Sequence, residues 1–149
     1  MRWRCTASSL LRSVPIMLAL ASNAHAVDVT FTLTGRQEVK QVATAASGTG
    51  LFKIGDKDKT ISGTVKTSSI VGVAAHVHIA PMGKNGPPIL TLNKVSDSEW
   101  SVPEGAKLTD EQHVAFKAGE LYVNVHTVAN KRGEIRGQII PPPSSRRAR

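Results

Sequence analysis

The chain has a single cysteine, Cys5, among its 149 residues. An internal disulfide is therefore excluded, and beyond position 5 no thiolate is available to a metal. Any metal site in the body of the chain must draw on His, carboxylate, Met or backbone groups. Aromatic residues are scarce at 4%, and beyond Arg2-Trp3-Arg4 at the N-terminus none interleaves with the Lys and Arg residues. The formal charge of +8 thus lacks a stacking platform, and it is not read as a nucleic-acid surface. The apolar run Val14 to Ala21 is far short of the roughly 20 residues a bilayer span requires. No serine sits in a Gly-x-Ser-x-Gly elbow. No glycine-rich phosphate loop lies between a strand and a helix. No pair of carboxylates can be assigned to glycoside chemistry.

The apolar run has its own context. Arg2, Arg4 and Arg12 precede or flank it, and Ala24-His25-Ala26 is a small-x-small cleavage site. The pattern predicts a secretory signal peptide over residues 1–26 rather than a membrane anchor. Its removal takes away Cys5, His25 and three arginines, and no acid. The formal charge falls from +8 to +5, and Arg146, Arg147 and Arg149 in the tail carry much of what remains. The expected product is an exported protein, periplasmic or extracellular, with no membrane segment. It comprises one domain over residues 27–140 and a Pro-rich, basic, disordered tail over residues 141–149.

Within that domain the dominant pattern is alternation. Val27 to Thr34 alternates apolar and polar residues and predicts a half-buried strand. Arg36 to Ser47 reads as a loop with a piece of edge strand. Gly48 to Ile54 and Thr60 to Thr67 flank the turn-rich Gly55 to Lys59 and predict a hairpin. Ala75 to Ile79 is a strand, and Ala80 to Pro88 a Pro- and Gly-rich loop leaving its end. Short strands follow at Ile89 to Leu92 and Glu99 to Val102. Thr109 and Gln112 form a capping-box signature, so one short helix is expected to about Lys117, with Gly119 as its stop. Glu120 to Val128 and Glu134 to Ile140 are the last two strands, and Pro141 to Pro143 ends the fold. The fold class is all-β: an antiparallel sandwich or barrel with one short helix.

Two imidazoles stand out. In Ala75-His76-Val77-His78-Ile79, His76 and His78 project from one face, with Val73, Ala75, Val77 and Ile79 on the other. His126 ends a similar strand. Side-chain parity in the last hairpin predicts His126 opposite Glu134, Asn124 opposite Arg136 and Tyr122 opposite Gln138. His76, His78 and His126 are the candidate metal ligands, with copper or zinc suited to imidazole donors. Glu134, Met82 and Glu38 are further candidates, as ligands or as partners that orient the imidazoles. Glu134 has the alternative of pairing with Arg136, Met82 of packing the loop onto the sheet, and Glu38 of capping a turn. Asn124 and Arg136 support the polar face, Arg136 by pairing with a carboxylate. His113, on the helix, is expected to be exposed.

Several stretches resemble the CHRD domain, the repeated module of chordin that also occurs in single-domain exported bacterial proteins. They are Phe31 to Glu38, Gly48-Thr49-Gly50, Ala75 to Ile79, Gly83 to Ile89 and the long block Gly119 to Ile139. The family usually carries prolines directly after its Glu-Val, where this chain has Lys40 and Gln41. The resemblance implies an extracellular or periplasmic β-sandwich and says little about activity. It does not carry over the bone morphogenetic protein ligands of chordin. The His-x-His on a β-sandwich is also similar to part of the copper site of Cu,Zn superoxide dismutase, whose bridging His and zinc-ligand run are not apparent here.

Three readings follow. The first is an exported domain binding copper or zinc through three histidines. The second is a protein-interaction module with an unknown protein partner, in which the histidine face is only a polar surface. The third is a copper-dependent redox enzyme.

Overall fold

A computed structural model describes residues 25–143. The basic segment and apolar run of the expected signal peptide lie outside the described residues, as do the last six residues of the tail. Nine strands form one antiparallel sheet. They are β1 (Ala26–Thr34), β2 (Ser47–Gly55), β3 (Ile61–Ser68), β4 (Ala74–Ile79), β5 (Pro88–Thr91), β6 (Asn93–Ser96), β7 (Glu99–Ser101), β8 (Leu121–His126) and β9 (Ile135–Ile139). Their order across the sheet is β5-β4-β8-β9-β1-β2-β3-β7-β6. The two outermost strands, β5 and β6, are consecutive in the chain and separated only by Leu92. The sheet must therefore curl until its two edges meet, which makes it nearly a closed barrel. Leu92 is buried at that seam, and its N–H donates to the Ala75 carbonyl at 2.9 Å.

Alternation builds the interior. Val29, Phe31 and Leu33 of β1 point inward with Phe52 and Ile54 of β2. Across the curl they meet Ala75 and Val77 of β4, Leu121, Val123 and Val125 of β8, and Ile135 and Ile139 of β9. Trp100 and the helix residues Ala115 and Phe116 complete this core. Val73, assigned to the inner face of the histidine strand, lies just before β4 and is exposed.

The single α-helix among the described residues, α1 (Asp110–Ala118), has the expected caps. The Thr109 hydroxyl accepts from the Gln112 N–H, the Gln112 side chain accepts from the Thr109 N–H, and Gly119 adopts φ +75°. Glycine enters that left-handed region without a Cβ penalty and stops the helix there. His113 on this helix is buried against Phe116, with ring centroids 6.1 Å apart, rather than exposed. The helix is too short for its sequence to say which turn faces the core. Between β1 and β2 the chain makes a 3-10 turn, Gly35–Gln37, and no edge strand. β6 is an addition that the polar, fully exposed segment Asn93–Ser96 did not announce.

Urea unfolding tests this division of labour. Phe52→Ala, which empties a fully buried site, is expected to cost about 3–5 kcal/mol. Thr109→Ala, which removes only the cap, is expected to cost about 1 kcal/mol. Equal losses would contradict the assignment of stability to the curled core.

Candidate metal centre

β4, β8 and β9 lie side by side, and their outward residues form a polar layer rather than a wet surface. The observed β8–β9 register pairs Tyr122 with Gln138 and Asn124 with Arg136, as parity predicts. The ladder closes at Val125↔Ile135, so Glu134 stands just beyond β9. Between β4 and β8, His78 faces Tyr122, His76 faces Asn124 and Ala74 faces His126. His126 is thus opposite a small residue and diagonal to His76. Diagonal neighbours on one sheet face are within reach of long side chains. Here His76 Nδ1 lies 3.0 Å from His126 Nε2.

The three imidazoles share one space. Their ring centroids are 4.9 Å apart for His76–His126, 5.7 Å for His76–His78 and 6.2 Å for His78–His126. One nitrogen from each ring falls in a group whose members all lie within 4.8 Å of one another. Backbone carbonyls orient two of the rings. His126 Nδ1 is 3.0 Å from the Lys131 oxygen, and His78 Nδ1 is 2.9 Å from the Gly86 oxygen. A carbonyl only accepts, so each Nδ1 carries the proton and each Nε2 keeps its lone pair. The Nε2 of His78 is buried with no hydrogen-bond partner among the described residues. Burial also holds His76, His78 and His126 below the ordinary imidazole pKa, which favours the neutral, ligating form.

A second group of side chains fixes this arrangement. Arg136 is 1% exposed. Its guanidinium donates to the Lys84 and Pro81 carbonyls and to Gln138 Oε1, at 2.8, 3.3 and 2.9 Å, rather than to a carboxylate. It stacks 3.5 Å from the Tyr122 ring centre, and Tyr122 in turn stacks on His78 at 4.8 Å. The loop between β4 and β5, pinned by Arg136, is the one whose Gly86 carbonyl orients His78. Gly86 also donates its N–H to the Tyr122 hydroxyl. These anchors are backbone atoms, which residue type does not reveal.

The further candidates are placed differently. Glu38 is buried and accepts from the Asn124 side-chain amide, so it reaches the histidines only through Asn124. Burial pushes its carboxyl up to about 7, against the pull of the Arg136 guanidinium. Gly133, at φ +129°, permits this contact: a Cβ there would fall 2.0 Å from the Asn124 amide nitrogen. Glu134 accepts from Thr44, Thr127 and Asn130, and those bonds hold its carboxyl below the usual range. Its recorded partners thus include neither His126 nor Arg136. Met82 is 69% exposed, beside Gln37 and Ile140.

The Glu38 carboxyl makes a signed prediction. Its folded pKa of about 7 exceeds its ordinary value of 4.5, so the folded state holds the proton more tightly. Its contribution is complete below pH 4.5 and is lost as pH rises through 7, by about 3 kcal/mol at most. The imidazoles act oppositely, because their lowered pKa values weaken the fold as pH falls below 6.5. Comparing Glu38→Gln with the parent isolates the carboxyl. The variant's stability relative to the parent is expected to rise from pH 5 to pH 8 in urea titrations, and a pH-independent difference contradicts the buried-acid assignment.

No curated protein and no solved structure matches the chain. The family model described as the CHRD domain matches residues 29–139, from β1 to the end of β9, and so spans the three histidines and every residue that supports them. The chain belongs to the CHRD domain family.

Proposed function

We propose that this protein is an exported CHRD domain that binds one copper or zinc ion through His76, His78 and His126. The observation that carries the reading is the orientation of the rings. His78 and His126 each spend their Nδ1 proton on a backbone carbonyl, which leaves Nε2 as the lone-pair nitrogen; that of His78 has no hydrogen-bond partner among the described residues, and that of His126 meets His76 Nδ1 at 3.0 Å. This is the arrangement that fixes imidazole ligands in metal sites. Left without a metal, the buried Nε2 of His78 is an unsatisfied polar atom, a costly feature that a bound ion removes.

Distances support the same reading. Three nitrogens at about 2.0–2.1 Å from one ion are about 3.3–3.6 Å apart, and small ring rotations connect that to the observed cluster. On binding, the hydrogen bond between His76 Nδ1 and His126 Nε2 is given up: a neutral His76 keeps its one proton on whichever ring nitrogen does not face the ion, so uptake by the neutral rings needs no net proton release. The donor set is all imidazole, with no thiolate and with Met82 exposed. Such a set suits Cu(II) or Zn(II) better than Cu(I). Export rests on the N-terminal pattern described above and on the extracytoplasmic setting that the family implies. Among the described residues, no helix is long and apolar enough to cross a membrane.

Isothermal titration of metal-free protein with Cu(II) and Zn(II) tests the site. One-to-one binding is expected, weakened by more than about hundredfold in His126→Ala, since loss of a mere orienting partner already costs about 10–100-fold. Nitrogen hyperfine structure from three imidazoles is expected in the Cu(II) resonance spectrum. Binding that is absent, or unchanged in the variant, sinks the metal reading and leaves the interaction-module reading. Export has a separate test: the intact mass of protein recovered outside the cytoplasm is expected to begin at Val27.

A further inference from the structure

A cavity of about 640 Å³ lies between the loop after Glu38 and the loop from Val128 to Gly133, with Asn85 closing one side. That volume is in the range that takes a small molecule. Its walls and its charges point to one kind of occupant. Val39 and Val128 line it and are 46% and 75% exposed, an apolar surface left to solvent. Lys40, Lys131 and Arg132 line it from both loops. None of these three cations forms an ion pair among the described residues, whereas Lys53, Lys59, Lys94 and Lys117 each meet an aspartate.

We propose that this cavity binds a small organic anion, its apolar body against Val39 and Val128 and its carboxylate among Lys40, Lys131 and Arg132. The one acid in the lining is Glu38. Burial pushes that carboxyl up to about 7, so it is mostly protonated below neutrality. Below pH 7 it therefore repels an anion little, and as an acid it has a proton to donate. The site is separate from the histidine cluster, but the two share a wall. Lys131 lines the cavity and gives its carbonyl to His126 Nδ1. The proposal does not require a metal.

Nitrogen-15 NMR of metal-free protein tests it, with benzoate, benzyl alcohol and sulfate as probes. Benzoate is expected to shift the amides of residues 39–43 and 128–133 saturably. Benzyl alcohol, the uncharged analogue, and sulfate, the charge without the apolar body, are each expected to bind at least about tenfold more weakly. Lys131→Gln/Arg132→Gln is expected to weaken benzoate binding by about tenfold or more. Between pH 6 and pH 8, affinity in the parent is expected to fall about tenfold as Glu38 ionises. The cations around Glu38 are Lys40, Lys131, Arg132 and the buried Arg136. Burial holds the nearby His76, His78 and His126 below the ordinary imidazole value, which favours their neutral form. Glu38→Gln, which keeps a neutral donor, is expected to hold the affinity level across the range. Equal binding of sulfate, shifts scattered over the whole surface, or benzoate affinity unchanged in the double variant would each overturn the proposal. Because the metal is absent throughout, its outcome is independent of the histidine site.

Discussion

The outer face of this sheet is organised by one buried cation. A guanidinium removed from water is tolerated only when its donors are met and its charge is offset. Arg136 meets that demand with two backbone carbonyls, the Gln138 side chain and the face of Tyr122. Those carbonyls belong to Pro81 and Lys84, so satisfying the arginine folds the β4–β5 loop over the sheet. The folded loop brings Gly86 to His78 and covers the face that alternation alone would leave wet. Gln138, which donates to the Ala80 carbonyl, and the Tyr122 hydroxyl, which accepts from the Gly86 N–H, hold the same loop beside the arginine. The orientation of His78, the burial of the His78 Nε2 and the stacking of Tyr122 all depend on this set of contacts.

Glu38 shows the other side of that constraint. It feels the attraction of the Arg136 guanidinium, yet burial outweighs that attraction and leaves its proton in place until near neutrality. The polar layer thus carries a net positive character at lower pH and becomes balanced only as Glu38 ionises. Asn124 stands between this acid and the histidines, bonded to one and flanked by the other.

Much of this was legible in the sequence where a repeating pattern carried it. Alternation and the turns that interrupt it placed eight of the nine strands to within a residue or two, and parity placed Asn124 against Arg136. The Thr109 and Gln112 pair located the helix because the capping chemistry is local. His76, His78 and His126 could be assigned to one face by the same alternation. What alternation does not encode is long-range covering. Glu134 looked available to His126 because they are near in the hairpin, but Thr44, distant in sequence, shares its carboxylate with Thr127 and Asn130. Arg136 looked like half of an ion pair, because the carbonyls that hold it belong to a loop whose path depends on the arginine itself. His113 looked exposed because a nine-residue helix shows too few turns to define its inner side. β6 has no apolar residue buried, so it left no trace in the pattern.

The curl of the sheet has a consequence in time. β1 pairs with β2 directly after it and, at Thr34↔Arg136, with β9 at the far end of the domain. A chain emerging from its N-terminus can form the first hairpins at once, but the first strand keeps one side open until the last has arrived. Contacts so distant in sequence are late and slow to form. His76 likewise waits for β8 before it has His126 beside it. No chain that stops short of β8 therefore presents the assembled trio, which comes together only when most of the domain has been made.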